Sequence, residues 1–458
     1  MSTVEHALPD RTALRGDRRL KVKLRELCRT DNWTNFLYIG RVYVVLALTI
    51  GGAIAFDQFR QAAALGWWWN APVYFLAILA IGASHHQLAG AGHEATHHTL
   101  FRGRLLNELA SDWLCMFPIF GVTYSFRLYH LAHHQFINDP KRDPDFAMLA
   151  ASGHWLRFPV SKALFLGTIL RQFLLVGLVR YILVRFRFNS TGLKGASPYR
   201  RGGEAGSKLP VRIGTLYLLA LAMAQMPLYA HGSIPVLMGV SLASWLALSV
   251  IFLALPARLW EEARLRPVVP RHWIAVGRMF YLSSMVTALT CLQLVTAAPV
   301  WWYFLWLWVV PLLTSFSLFM ILRQVIQHGN GDRGWLTNTR VFLVNPIIRY
   351  AVFPFGMDYH LPHHMYATVP HYNLPKLHRF LLAYPEYASD ALIVENYIVP
   401  KSGGVRRNPT CIEVVGPDYA RAGEDIHIDH SVLDAWDVDE RDEIARHEQL
   451  SIDETDWR

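Results

Sequence analysis

The residues of this chain best suited to chemistry are histidines, and they are unevenly placed. Of 21 histidines, three lie in HEATHH (His93, His97, His98), three in YHLAHHQFINDP (His130, His133, His134) and three in YHLPHHMYATVP (His360, His363, His364). One HxxHH is expected about 0.04 times by chance at this composition, and the chain has two. On a helix, residues i, i+3 and i+4 share a face, so each HxxHH is expected to aim three imidazoles at one point, and the HxxxH of the first box two. Eight ring nitrogens gathered in this way can hold metal. His97 and His98 both stand where the second histidine of the first box could be. The isolated His85, His86 and His371 read as satisfied polar residues near helix ends. Imidazole suits iron, copper, nickel and zinc alike, so ligand type leaves the metal open. The number of rings is too great for one ion and right for two. Soluble di-iron proteins use carboxylates with ExxH pairs, and beside the boxes only Glu94 to His97 has that spacing.

Boxes so far apart in sequence need a scaffold to bring them together. Hydrophobic residues fill 53% of the 458 positions and charged residues 17%, against roughly 25% charged in soluble domains; the mean hydropathy is +0.20. Six apolar runs, 36–56, 71–90, 213–230, 234–255, 279–299 and 301–322, are long enough to cross a hydrocarbon core about 30 Å thick. The N-terminus, 91–212 and 256–278 are rich in Lys and Arg, whereas the loops at 57–70, 231–233 and near 300 hold one basic residue, Arg60. The basic side is cytoplasmic by the positive-inside rule. Both termini and all three boxes then face the cytoplasm, with Trp67, Trp68, Trp69, Trp301 and Trp302 at the outer interface.

The expected fold is an all-α integral membrane protein, six transmembrane helices under a cytoplasmic histidine-rich helical cap. It divides into an N-terminal segment (1–35), a membrane domain (36–385) and an acidic tail (386–458). Residues 411–458 carry 15 acidic side chains against 4 Arg, so the net charge of +9 understates how basic the membrane domain is. Basic loops on a membrane protein, and not nucleic-acid binding, account for that charge. The run 113–124 is too short to cross and reads as re-entrant or interfacial. Residues 158–188, interrupted by Lys162, Arg171, Arg180, Arg185 and Arg187, read as a helix lying among headgroups, and 189–210 as a loop. Cys28, Cys115, Cys291 and Cys411 are too dispersed for a local iron–sulfur motif.

With boxes and spans in this order, the chain resembles the membrane fatty acid desaturase superfamily. The resemblance covers about residues 36–385 and includes NDPKRDPDF after the second box, NTR and NP before the third, and VPHYNLPKLH after it. It implies an oxygen-dependent di-iron enzyme acting on an acyl chain or another long hydrocarbon. The implied ligands, which are also the catalytic residues, are His93, His97, His130, His133, His134, His360, His363 and His364. A ninth is implied at the cytoplasmic end of the last span, where His328 stands with Gln324 one turn earlier. His360 occupies a place where the branch acting near the carboxyl end of acyl chains has Gln, which argues against that branch. Glu94, Asp139, Asp143 and Asp145 are candidates to accept the second ring N–H of a bound imidazole, or else they cap turns around Pro140 and Pro144. GNGDRG (329–334) reads as a turn, since it follows a span and precedes no clear helix.

Removing hydrogen from an unactivated methylene needs a redox metal that handles O2, which zinc does not. The expectation is therefore two iron ions, O2 as co-substrate and a new C=C bond. Hydroxylase and carotenoid ketolase readings use the same residues, and spacing does not separate them. Haem, flavin, nicotinamide and iron–sulfur motifs are missing from the sequence, so a separate ferredoxin-like or cytochrome electron donor is expected at the basic face. A His-rich metal transporter is the alternative from another class. It needs charge at mid-membrane, and within the boundaries above only Arg41, close to an end, is charged.

Overall fold

The computed structural model describes residues 13–190, 199, 207–260, 263, 265–400 and 408–420; most of the 189–210 loop and of the acidic tail lies outside them. Six helices are long and apolar enough to cross a membrane: Thr34–Ala62, Trp67–Thr96, Leu209–Ala230, Ile234–Ala254, Arg271–Thr296 and Val300–His328. They match the six runs found from hydropathy. Large apolar side chains such as Leu48, 71% exposed, Met226 and Val250 face outward, which suits lipid and not water. Several helices run past their apolar cores. The second continues through the first box to Thr96 and the sixth to His328, so charged residues that hydropathy had left outside, Asp57, Arg278 and Arg323, stand within helices.

The second span is the central element, packed against the first, the sixth and the second-box helix Thr123–Gln135. Two glycines permit this. A Cβ on Gly92 would lie 2.2 Å from Met116 Sδ, and one on Gly90 2.8 Å from Pro354 Cβ, so GAGHE lets the segments flanking the other two boxes press against the first.

Residues 113–124 do not cross. Asp112–Met116 forms one wide helical turn and Phe117–Ile119 a tight one. Arg278 Nη2 donates to Phe120 O at 2.7 Å and Trp308 Nε1 to Pro118 O at 3.0 Å, tying the piece to the fifth and sixth spans. The stretch 158–188 differs from the single interfacial helix expected. Lys162–Leu174 and Val176–Asn189 meet at 84°, broken at Leu175, whose φ is 64°. The second and third boxes meet, so an even number of crossings separates them. Four spans supply that number, and the bent pair enters and leaves on one side.

The N-terminal helix Arg18–Leu27 packs on the same side as the boxes. There Asn373 Nδ2 donates to Leu27 O at 2.9 Å and the Tyr384 hydroxyl to Asp17 Oδ2 at 2.7 Å. Some residues that composition assigns to the tail are also ordered here. Strand β1 (Arg340–Leu343) pairs in parallel with β2 (Leu392–Glu395), Arg340 opposite Leu392, and Cys411, Val414 and Val415 are buried in the main core. Such short apolar pieces escape a hydropathy window. Strand β1 also sets the start of the third box, since Val341 bridges to Tyr359 and Phe342 N donates to Asp358 O at 2.7 Å.

Candidate metal centre

The three boxes meet, but each does not converge on a single point. His93, His97, His130, His134 and His363 form one group and His133, His328, His360 and His364 a second, the facing nitrogens of each lying within 4.8 Å of one another. Helical rotation explains the split. At about 100° per residue, i and i+4 lie about 40° apart while i+3 falls about 60° to the other side. The second box therefore gives His130 and His134 to the first group and His133 to the second. The third box does the reverse, giving His360 and His364 to the second group and His363 to the first. His97 joins a group and His98 does not. The helix ends at Thr96, His98 takes φ 53°, and its Nδ1 turns to Asn107 Nδ2 at 3.4 Å.

The arrangement fits metal. Nε2 of His130 lies 2.8 Å from that of His97 and 3.0 Å from that of His134, and His363 lies 3.1 Å from His134. In the second group, Nε2 of His360 lies 2.8 Å from that of His328 and 3.1 Å from that of His364. Neutral rings offer one donor and one acceptor each, so several facing nitrogens cannot satisfy one another. Two nitrogens bound at right angles to an ion at 2.0–2.1 Å are about 3 Å apart. Burial, followed by the neighbouring rings, pushes His97, His130, His134, His360 and His364 well below the ordinary imidazole range. Burial, then His133 and Arg323, takes His363 down to about 3. Their lone pairs are free for metal. Burial also opposes charge on His133, but Asp143 and Asp145 outweigh it and push that ring up to about 9.

Two arginines that sequence reasoning missed hold the helix ends carrying the rings. The last carbonyls of a helix lack partners within it. Arg127 Nε donates to Thr96 O at 3.0 Å and its Nη2 to Ala95 O at 2.7 Å, while Nη2 also pairs with buried Glu108. Arg340 does the same beyond the sixth span, donating to Ile326 O at 2.9 Å and Gly329 O at 2.8 Å. Arg127 stands in the second-box helix, which offered a signal; Arg340 belongs to the NTR segment, but its target could not be read locally.

The candidate carboxylates take different roles. Asp143 Oδ1 accepts from His133 Nδ1 at 2.9 Å. It also caps the helix Pro144–Ser152 through Asp145 N and accepts from Asn138 N at 3.0 Å, so orienting and capping coincide in one residue. Asp145 is 3.9 Å from the same ring nitrogen. Asp139 holds a turn, accepting from Lys141 N and Arg142 Nε. Glu94 stands 3.7 Å from His93 Nδ1 and accepts instead from His371 N at 2.9 Å and Thr99 Oγ1 at 3.1 Å, joining the first box to the chain after the third. Gln324 accepts from the Tyr181 hydroxyl. GNGDRG makes turns, Gly331 N donating to His328 O at 2.9 Å. His86 donates to Ala351 O and His371 to Asn35 Oδ1, each at 2.8 Å. His85 departs from expectation: among the described residues neither ring nitrogen has a hydrogen-bond partner, and the ring packs edge-on to Trp308. The helix runs eleven residues past it in an apolar contact, so it is no helix-end residue.

A cavity of about 410 Å³ lies among the third, fourth and fifth spans and the start of the second-box helix, lined by Phe252, Met279, Leu282, Arg271, Arg278 and Ser125 among others. Phe126, next to Ser125, faces the first group, its ring centroid 5.6 Å from His130 and 6.4 Å from His93.

Fold and site together define a multi-span helical membrane protein built around buried histidines suited to metal. Residues 66–275 and 262–394 match the family described as fatty acid desaturase, and the chain belongs to that family. It is similar to the dihydrorhizobitoxine desaturase of Bradyrhizobium elkanii, 30% identical over 142 residues. That stretch covers 31% of this chain and 36% of the relative, so the match spans about a third of the relative's length.

Proposed function

We propose that the two histidine groups hold two irons and that the chain is an O2-dependent desaturase of a fatty acyl or similar hydrocarbon chain, with its cap on the cytoplasmic side. The division of nine histidines into two facing groups within a desaturase-family fold supports this reading most strongly. Bound irons supply the redox chemistry that activates O2. In balance, –CH2–CH2–, O2, two electrons and two protons give –CH=CH– and two waters, the electrons coming from a separate ferredoxin-like or cytochrome donor.

The chain's own residues do the positioning. His97, His130, His134, His360, His363 and His364, kept neutral by burial, present their lone pairs, Arg127 and Arg340 fix the helix ends behind them, and Asp143, which favours a proton on His133 until metal replaces it, orients that ring. Burial of the rings keeps bulk water out, while Phe126, next to the cavity-lining Ser125, faces the first group. A chain held beside that ring reacts at carbons set by its position.

Metal analysis of the purified full-length protein, with mass spectrometry of lipids from an expressing host, tests the proposal. Two irons per chain and a new double bond support it. Two irons with a hydroxylated product overturn desaturation alone, and a protein without iron overturns the centre itself.

A further inference from the structure

The sixth span carries, five residues before His328, a buried arginine whose guanidinium is only partly engaged. Arg323 is 8% exposed, and among the described residues its Nε has no hydrogen-bond partner and no carboxylate forms an ion pair with it. Arg127 and Arg340, also buried, use their guanidiniums on helix-end carbonyls. Arg323 does not.

On the helix Ser315–His328 it adjoins Gln324, which accepts from the Tyr181 hydroxyl. A second buried guanidinium, Arg185, follows Tyr181 by one turn on the helix Val176–Ser190. Arg185 lies 5.5 Å from the centroid of the Phe126 ring, the ring that faces His93 and His130, and its Nη1 reaches Met148 Sδ at 3.6 Å. Asp145, the carboxylate of this neighbourhood, is partly exposed and inclines to His133.

Two guanidiniums withdrawn from water beside a metal site are costly unless something pairs with them. A plain hydrocarbon offers them nothing, whereas an anion does. We infer that Arg323, with Arg185 and Tyr181 beside it, is an anion-binding end of the substrate site, and that the substrate carries a carboxylate or phosphate within a few bonds of the reacting carbons. This rests on the function proposed above and names its substrate class. A guanidinium fork grips two oxygens of either anion and so fixes the distance between the anion and the reacting carbons. The assignment runs against the expectation drawn from His360, and the same measurements decide between them.

The test titrates full-length protein in detergent micelles with hexanoate, hexyl phosphate and hexanol, by calorimetry and thermal unfolding, as purified and again after chelation of metal. One of the two anions binds saturably at one site per chain and hexanol does not; which anion binds identifies the group. Arg323→Gln weakens that binding by about tenfold or more with metal content unchanged, and Arg323→Lys, which keeps charge but loses the fork, falls between. Should Arg323→Gln fail to fold, Arg185→Gln and the comparison of probes on the unaltered protein carry the test. Equal binding of hexanol, no binding of either anion, or undiminished binding in a folded variant overturns the assignment, as does binding abolished by chelation, which would make the anion a metal ligand. A protein that holds no metal sinks the proposed function alone, because the chelated sample still reports on the arginines.

Discussion

The two histidine groups are drawn from shared helices yet are unequally secure. The first has five rings, two from each of the first two boxes and one from the third, so losing one leaves four. The second has four, and losing one leaves three. The boxes alone divide as five and three, because each HxxHH sends i and i+4 one way and i+3 the other. His328 therefore completes the poorer group from outside any box. The fold supports it closely: Arg340 caps the carbonyls around it, Thr339 Oγ1 donates to Gln327 O at 2.7 Å, and Asp143 fixes its neighbour His133. Number of rings protects one group and outer hydrogen bonds protect the other.

The largest effect is expected from His328→Ala. Metal falls from two ions per chain to about one and product formation by more than about 100-fold, while membrane insertion, which depends on the apolar spans, is unchanged. Plasma mass spectrometry of the purified variant decides; two retained ions would show that the boxes suffice. Next is Asp143→Asn, which leaves a side chain able to cap the Pro144 helix but removes the charge facing His133. Affinity at the second group drops by about 10–100-fold and the first group holds. Chelator titration then shows two separated release steps where the parent protein shows them closer together.

His93→Ala should cost less than either, since four rings remain in its group: both ions stay and one is released about tenfold more readily. If it loses as much metal as His328→Ala, the contrast between the groups is false.

The spans and the boxes were legible in the sequence because each is a local signal, a long apolar run or a helical spacing. The division between groups was implicit in the same spacing but needed the rotation of i+3 to be followed to a second target. Arg340 and Glu94 were obscure because their partners, a helix end before the NTR segment and the backbone of His371, are set by tertiary packing. Arg323 was hidden by one position: the apolar run stops at residue 322 and the helix does not. The two short strands and the buried residues near 411–415 carry too few apolar positions to register against an acidic tail.

The smallest effect is expected where the sequence was most ambiguous. His97 and His98 are adjacent, and either could have completed the first box by spacing alone. The helix end decides between them. His97 closes the last turn, its N–H reaching Glu94 O at 3.1 Å, and its Nε2 faces that of His130. His98 is turned through positive φ toward the helix Arg104–Ser111, where its Nδ1 lies 3.7 Å from Glu108 Oε1. Burial and then Arg127 and Arg104 hold its ring down to about 2, so it is neutral there and adds no ionic attraction to Glu108. His98→Ala removes the long approaches to Asn107 and Glu108, worth about 1 kcal/mol of stability or less. Metal content and turnover should stay within about twofold of the parent, a range that ordinary surface substitutions also occupy. His97→Ala, one residue earlier, should lose affinity at the first group as His93→Ala does. Measured side by side for metal release, the pair reports whether the chain direction after Thr96 selects the ligand: equal losses in both variants would mean that His98 can swing in, and that the first group is not fixed by the helix end.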